Sequence, residues 1–303
     1  MVEIGMKAWL PWLDRQGRFS GLRAATFALL LVPALWLAFD AWTGQLGSKP
    51  WTRAVHDSGT WAIRLLLVTL AVTPLRRILD WSKLIGIRRM LGLAVLAYAL
   101  AHLALYCIDL GFDAGLIVSE IVKRFYLVVG ITALTGLAAL GVTSTDGMIR
   151  RLGSARWQQL HNLVYAIAAL GLLHFALQAK IDVTQPALMA GLFGLLMLYR
   201  VLPRFGVTLD TPRLVLTALA AGLLTALCET AWYALATGAS AWLVFQANAD
   251  VVVYGDIDTL RPGHWVALAG LLVAFAHYWR APETRQTDRR ARRREGLSAQ
   301  TGA

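Results

Sequence analysis

The sequence predicts an all-α, polytopic membrane helix bundle of about eight transmembrane helices, with both termini in the cytoplasm. Three observations carry this. Of 303 residues, 57% are hydrophobic and 16% charged, where a soluble domain carries about a quarter charged residues; the mean hydropathy is +0.56. The apolar residues come in blocks of roughly twenty, the length a helix needs to cross the hydrocarbon core. The basic residues are also unevenly distributed: 22 of the 29 fall on alternate connections that share a side with both ends of the chain. By the positive-inside rule that side is cytoplasmic.

The elements follow in order. Residues 1–23 form a basic tail with Trp9, Trp12 and Phe19 interleaved, suited to the membrane surface. The long first apolar run and the many runs behind it read as spans rather than as a cleavable signal. Span one is about Ala24–Trp42, with Pro33 as a kink. Span two is about Thr60–Leu75, closing at Thr73-Pro74. Spans three and four are about Met90–Ile108 and Phe125–Val142. Span five is Trp157–Gln178, read as one helix. Span six is about Pro186–Leu202, span seven Leu214–Leu235 and span eight His264–Trp279. The outer connection Ala236–Gly263 contains the strand-like run VVVYGD.

This gives four regions: the tail at 1–23, a six-helix core at 24–205, a two-helix extension at 206–280 and a basic, disordered tail at 281–303. No internal repeat is present. The formal charge of +11 is topology rather than a nucleic-acid footprint. The RRARRR run reads as a contact to anionic membrane lipids. Cys107 and Cys228 lie in apolar segments without a CxxC or Cys-x-x-Cys-His pattern, which argues against covalent c-type haem and iron–sulfur clusters.

Histidines within hydrocarbon are rare and functional, and neutral imidazole is a common axial ligand of haem iron. Spans three and five both run outward. His102 lies seven residues before Asp109, and His174 six before Lys180, which places both about 9–10 Å below the outer end. A bis-histidine haem b between these spans is the natural construction. His161 lies near the inner surface, roughly 20 Å from His174 along the helix. It has two readings, ligand of a second haem or hydrogen-bond partner at a cofactor or quinone site. Arg88 lies fourteen residues before His102 on nearly the same face, where it suits a haem propionate or a flavin or quinone oxygen. His56, His264 and His277 read as interfacial residues, with His277 also able to reach the inner-leaflet depth. Glu229, a buried acid in span seven, requires a partner, for which Arg261 and His264 are the candidates.

Several stretches resemble the MsrQ (YedZ) family, the haem-binding membrane subunits of the periplasmic methionine-sulfoxide reductase system. They are Arg88-Arg89-Met-Leu-Gly-Leu, Ala97-Tyr98, His102-x-x-x-Tyr106, and above all Arg156-Trp-Gln-Gln-Leu-His-Asn-Leu-Val-Tyr165 with His174 beyond it. His56-x-x-Gly59, Thr73-Pro74 and Thr143-Ser144-Thr145 fit the same pattern, over roughly residues 20–203. The family belongs to the ferric-reductase-like transmembrane group.

The resemblance implies a bacterial inner-membrane subunit that binds haem b and FMN and takes electrons from the quinone pool. It passes them to a periplasmic molybdopterin partner of the MsrP type, which repairs methionine sulfoxide in envelope proteins. It also implies that His102 and His174 ligate haem iron, that His161 is a further haem-associated histidine, and that Arg88 and Arg89 serve an inner site. The wider group carries two histidines on its third helix, whereas this chain has Arg88 in the second place, and spans seven and eight lie outside the resemblance. An electron-transfer subunit is therefore expected, not the catalytic one. The chain carries no nucleotide-binding GxGxxG. The alternatives are a stand-alone ferric or quinol-dependent transmembrane reductase and a haem-free transporter or scaffold.

Overall fold

In the computed structural model, the described residues are 10–14, 16–180, 182–254 and 260–280. The 1–9 part of the N-terminal tail and the basic run at 281–303 lie outside them. Among the described residues there is no sheet, and the β-pairing is a bridge between Leu13 and Phe19. The helices are α1 (Gly21–Trp42), α2 (Pro50–Ile78), α3 (Arg88–Asp109), α4 (Ala114–Lys123), α5 (Phe125–Val142) and α6 (Asp146–Leu152). They continue with α7 (Ser154–His161), α8 (Val164–Ala179), α9 (Thr184–Val201), α10 (Thr211–Thr237), α11 (Ala241–Tyr254) and α12 (262–280). Seven described segments are long and apolar enough to cross a bilayer, so the chain is a polytopic membrane protein. The segment expected as an eighth span is also helical, as α12.

Two local expectations are corrected. Span five is not one continuous helix: Asn162 and Leu163 form a turn between α7 and α8. Neither residue is a helix breaker, so the interruption is set by packing rather than propensity. The run VVVYGD is not a strand: residues 251–254 continue α11, and the last two positions lie outside the described residues. β-branched residues favour strands only where a pleated neighbour exists to pair with, and here the helix simply continues. The connection after span three contains the helix α4, capped by Asp113, whose carboxylate accepts the Leu116 N–H at 2.9 Å.

The chain divides into two compact units. The first comprises Met1–Thr73 and Lys83–Ala190. Its tightest pair is α5 against α8. Val129, Ala133, Leu137 and Leu140 of α5 recur every three or four residues, the stripe that faces a neighbouring helix. They are buried with Ile167, Ala168 and Leu172 of α8. Pro33 removes one helical donor from α1, and the Tyr98 hydroxyl of α3 repairs the neighbouring rung. It accepts the Ala34 N–H at 3.0 Å and donates to the Leu30 carbonyl at 2.7 Å. Tyr98 stands one turn before His102 on α3, so the kinked helix is fastened beside the histidine.

The second unit comprises Pro74–Ser82 and Gly191–Ala303. Here α10 and α12 meet through small residues. A Cβ on Gly222 would lie 2.7 Å from the Gly263 carbonyl oxygen and 2.8 Å from Ala267, and one on Gly270 would lie 2.5 Å from Ala218. Such close backbone approach is the common solution for helix pairs in lipid, where dispersion replaces the hydrophobic drive. Thr211 joins His277 at 2.9 Å. Glu229, 1% exposed, accepts from Arg261 at 2.8 Å and from Asn248 at 3.4 Å. Arg261 is thus the direct partner of the buried acid. The His264 ring instead accepts the Arg261 backbone N–H at 3.1 Å.

Candidate functional site: a facing histidine pair

His102 projects from α3 and His174 from α8, and the two ring centres lie 6.3 Å apart with the ring planes at 80°, an edge-on arrangement. Each ring is oriented by a backbone carbonyl: His102 Nδ1 lies 2.8 Å from the Val55 oxygen of α2, and His174 Nδ1 lies 2.7 Å from the Tyr126 oxygen of α5. A carbonyl can only accept, so each Nδ1 carries the proton and each Nε2 keeps its lone pair. This is the tautomer that a metal-ligating histidine requires, with the second nitrogen tied by an outer hydrogen bond.

Two glycines make room for the rings. A Cβ on Gly59 of α2 would come within 2.9 Å of the His102 ring, and one on Gly130 of α5 within 2.8 Å of the His174 ring. Four helices therefore build the pair, two carrying the imidazoles and two supplying a carbonyl and a gap. Gly130 escapes sequence reasoning, since its signal is one glycine in an apolar span, while Gly59 is visible in the His56-x-x-Gly59 stretch.

The pair fits an iron porphyrin. Metal–imidazole bonds of about 2 Å put the centres of two opposed imidazoles roughly 6 Å apart, close to the observed spacing. Among the described residues no group of three or more His, Cys, Asp or Glu could hold a bare metal ion. Two protein ligands are what a porphyrin, with its own four nitrogens, needs.

His161 is not brought to this pair. It ends α7, stacked on Trp157 with ring centres 3.9 Å apart, and its Nδ1 lies 3.1 Å from the Trp157 carbonyl. Its Nε2 lies 3.3 Å from Ser144 Oγ. That hydroxyl gives its single hydrogen to the Leu140 carbonyl at 2.7 Å, so toward Nε2 it presents a lone pair, and both ring nitrogens face acceptors. Arg88, half-buried at the start of α3, lies within electrostatic range of His161. Arg89 is exposed and pairs with Asp146 at 2.5 Å. Beside them an open cavity of about 410 Å³ is lined by Thr145, Gly147, Met148, Arg150 and Arg151. The structure thus gathers Arg88, Arg89 and His161 around one end of the unit and holds His102 and His174 apart from them. His56 lies within electrostatic range of His102, and its Nε2 is 2.8 Å from the Gln178 amide nitrogen.

Comparison with known proteins gives a consistent family. A model of the ferric reductase like transmembrane component matches residues 58–172. The heme-binding subunit MsrQ of protein-methionine-sulfoxide reductase from Rhodospirillum rubrum is 42% identical over 191 residues, covering 63% of this chain and 89% of that one. Its counterpart from Herminiimonas arsenicoxydans is 41% identical over 183 residues, with coverages of 59% and 84%. That of Caulobacter vibrioides is 42% identical over 170 residues, with coverages of 56% and 81%. No solved structure matches.

Proposed function

The chain belongs to the MsrQ family, and from that premise we propose that it is a b-type cytochrome subunit of the inner membrane. In this reading it passes electrons from the quinone pool, or from a reduced flavin such as FMN, to a periplasmic MsrP-type molybdopterin subunit that repairs methionine sulfoxide. The observation that carries the reading is the facing pair His102 and His174, both in the ligating tautomer. A b haem bound there supplies a one-electron carrier inside the low-dielectric bundle.

The chain's own residues do the rest. Val55 and Tyr126 carbonyls fix the imidazole orientation, and Gly59 and Gly130 admit the rings. Arg88, Arg89 and His161 present positive charge and hydrogen-bonding nitrogens to an electron donor at the opposite end, where an anionic flavin or a quinone oxygen is well matched. An inner haem on His161 is a second reading, in which Nδ1 donates to the Trp157 carbonyl at 3.1 Å and Nε2 is left for iron. In the proposed topology both termini are cytoplasmic, eight spans cross the membrane, residues 24–205 form the haem core and 206–280 an added pair.

The test uses the chain purified in detergent together with its molybdopterin partner. A quinol should reduce the partner's methionine-sulfoxide cycle through the chain, and His102→Ala and His174→Ala should abolish this. Quinol-driven turnover by the partner alone, or turnover on soluble iron without the partner, overturns the proposal. Arg88→Gln with Arg89→Gln should slow reduction by quinol while leaving dithionite reduction intact.

A further inference from the structure

We propose that Arg64 anchors a carboxylate of the bound haem, an assignment that rests on the haem reading of the His102–His174 pair. Arg64 lies on α2 four residues inside span two, about 6 Å below its outer start at Thr60. An arginine inside a membrane span is rare and either snorkels to the interface or marks a functional site with a partner. The partners found are neutral. Nη2 donates to the Gln185 side-chain oxygen at 3.1 Å, and the guanidinium lies over the Trp61 ring at 4.9 Å.

The other arginines and acids of this helix differ. Arg53 has Asp57 at 3.2 Å, and Arg76 and Arg77 lie in its last turn. Among the described residues Arg64 makes no ion pair, so most of its five N–H groups meet no anion. A membrane-embedded guanidinium with its fork open calls for an oxyanion, and a carboxylate matches the fork with two parallel bonds.

Position selects which oxyanion. Gly59, which cradles the His102 ring, is five residues before Arg64 on α2. The adjacent Ile63 reaches α8 at Gly171, where a Cβ would meet its Cδ1 at 2.9 Å. Gly171 is three residues from His174. By both helices Arg64 stands one to two turns from the level of the two imidazoles, about 5–8 Å along the axis. It therefore stands near the level of the two imidazoles, on a different face of α2 from Gly59, and reaches a group at the edge of the site only through its long side chain. Propionates are the anionic groups of a haem. A phospholipid phosphate offers the same chemistry, and the experiment below separates the two.

The measurement is the midpoint potential of the haem by spectroelectrochemistry, for wild type, Arg64→Gln and Arg64→Lys. Each is loaded with haem b or with its propionate dimethyl ester. A paired guanidinium offsets the carboxylate charge that favours ferric iron. Arg64→Gln should therefore lower the potential of the haem-loaded protein, and Arg64→Lys should fall between it and wild type. Haem affinity, measured on the same set, should fall for Arg64→Gln with haem b, whereas with the ester, whose propionates carry no charge, the three proteins should bind equally well.

Arg64→Gln titrating with wild type overturns the proposal while leaving the haem reading intact. A loss of affinity as large with the ester as with haem b assigns Arg64 to a partner other than the propionate, a lipid phosphate included, and overturns it too. Arg64→Lys losing haem as fully as Arg64→Gln assigns a structural role instead. A wild type without a b-type band overturns the haem reading itself, and this assignment with it.

Discussion

Replacing Gly130 by alanine places a methyl group against the His174 imidazole. The added carbon would stand 2.8 Å from Nδ1, 2.9 Å from Cε1 and 3.2 Å from Cγ, against about 3.5 Å for an unstrained contact. The ring must withdraw by about 0.7 Å to reach that contact distance. Withdrawal works against its 2.7 Å hydrogen bond to the Tyr126 carbonyl, one turn earlier on the same helix. Overpacking of this size costs about 1–3 kcal/mol, and a weakened hydrogen bond about 1 kcal/mol more. Alanine's advantage over glycine in a helix returns about 1 kcal/mol.

The net effect is about 1–3 kcal/mol, a fall of about five- to a hundredfold in haem affinity. The assay is haem content per protein by pyridine haemochrome after gel filtration in detergent, with Gly194→Ala as the control. Gly194 has open space where a Cβ would go, so its variant should keep full haem content. A Gly130→Ala protein with wild-type haem content and an unchanged spectrum would falsify the view that this glycine makes room for a ligating ring.

Other outcomes follow from the same contacts. Tyr98→Phe leaves the Ala34 N–H and the Leu30 carbonyl without the inserted hydroxyl and should cost about 1–2 kcal/mol, read as a lower Tm in detergent; an unchanged Tm sinks the rung-repair account. Glu229→Ala strands Arg261 and should cost about 3 kcal/mol, less if water reaches the guanidinium, whose side chain is 27% exposed. A double-mutant cycle with Arg261→Met should show coupling, and strictly additive losses would refute the pair. Ser144→Ala touches His161 but not the facing pair, so the His102–His174 spectrum should stay unchanged; loss of that band would contradict the separation of the two ends.

The spans were legible because hydrocarbon imposes length and composition. The facing of His102 and His174 was legible for a related reason: two helices running the same way put residues at equal distance from their ends at equal depth. The turn at Asn162–Leu163 was not, since both residues sit readily in a helix and only packing separates α7 from α8. The end of α11 read as strand-like because valine runs carry that preference wherever they occur. Helix α4 carried a signal, Asp113 placed as an N-cap, that periodicity alone passes over. The cradle at Gly130 and the carbonyls of Val55 and Tyr126 belong to helices that carry no ligand. No pattern along α3 or α8 could point to them, because they are contacts between chain segments far apart in sequence. Arg261, by contrast, could be named as a partner for Glu229 because a buried carboxylate demands a cation and few lay within reach.

The most direct test of the account is the dithionite-reduced minus oxidised spectrum of the purified chain beside His102→Ala and His174→Ala. A wild-type b-type band that both substitutions abolish, in protein that still elutes as a folded species, is the predicted result. A wild type without a haem band despite haem supplied during expression, or a band that survives both substitutions unchanged, contradicts it.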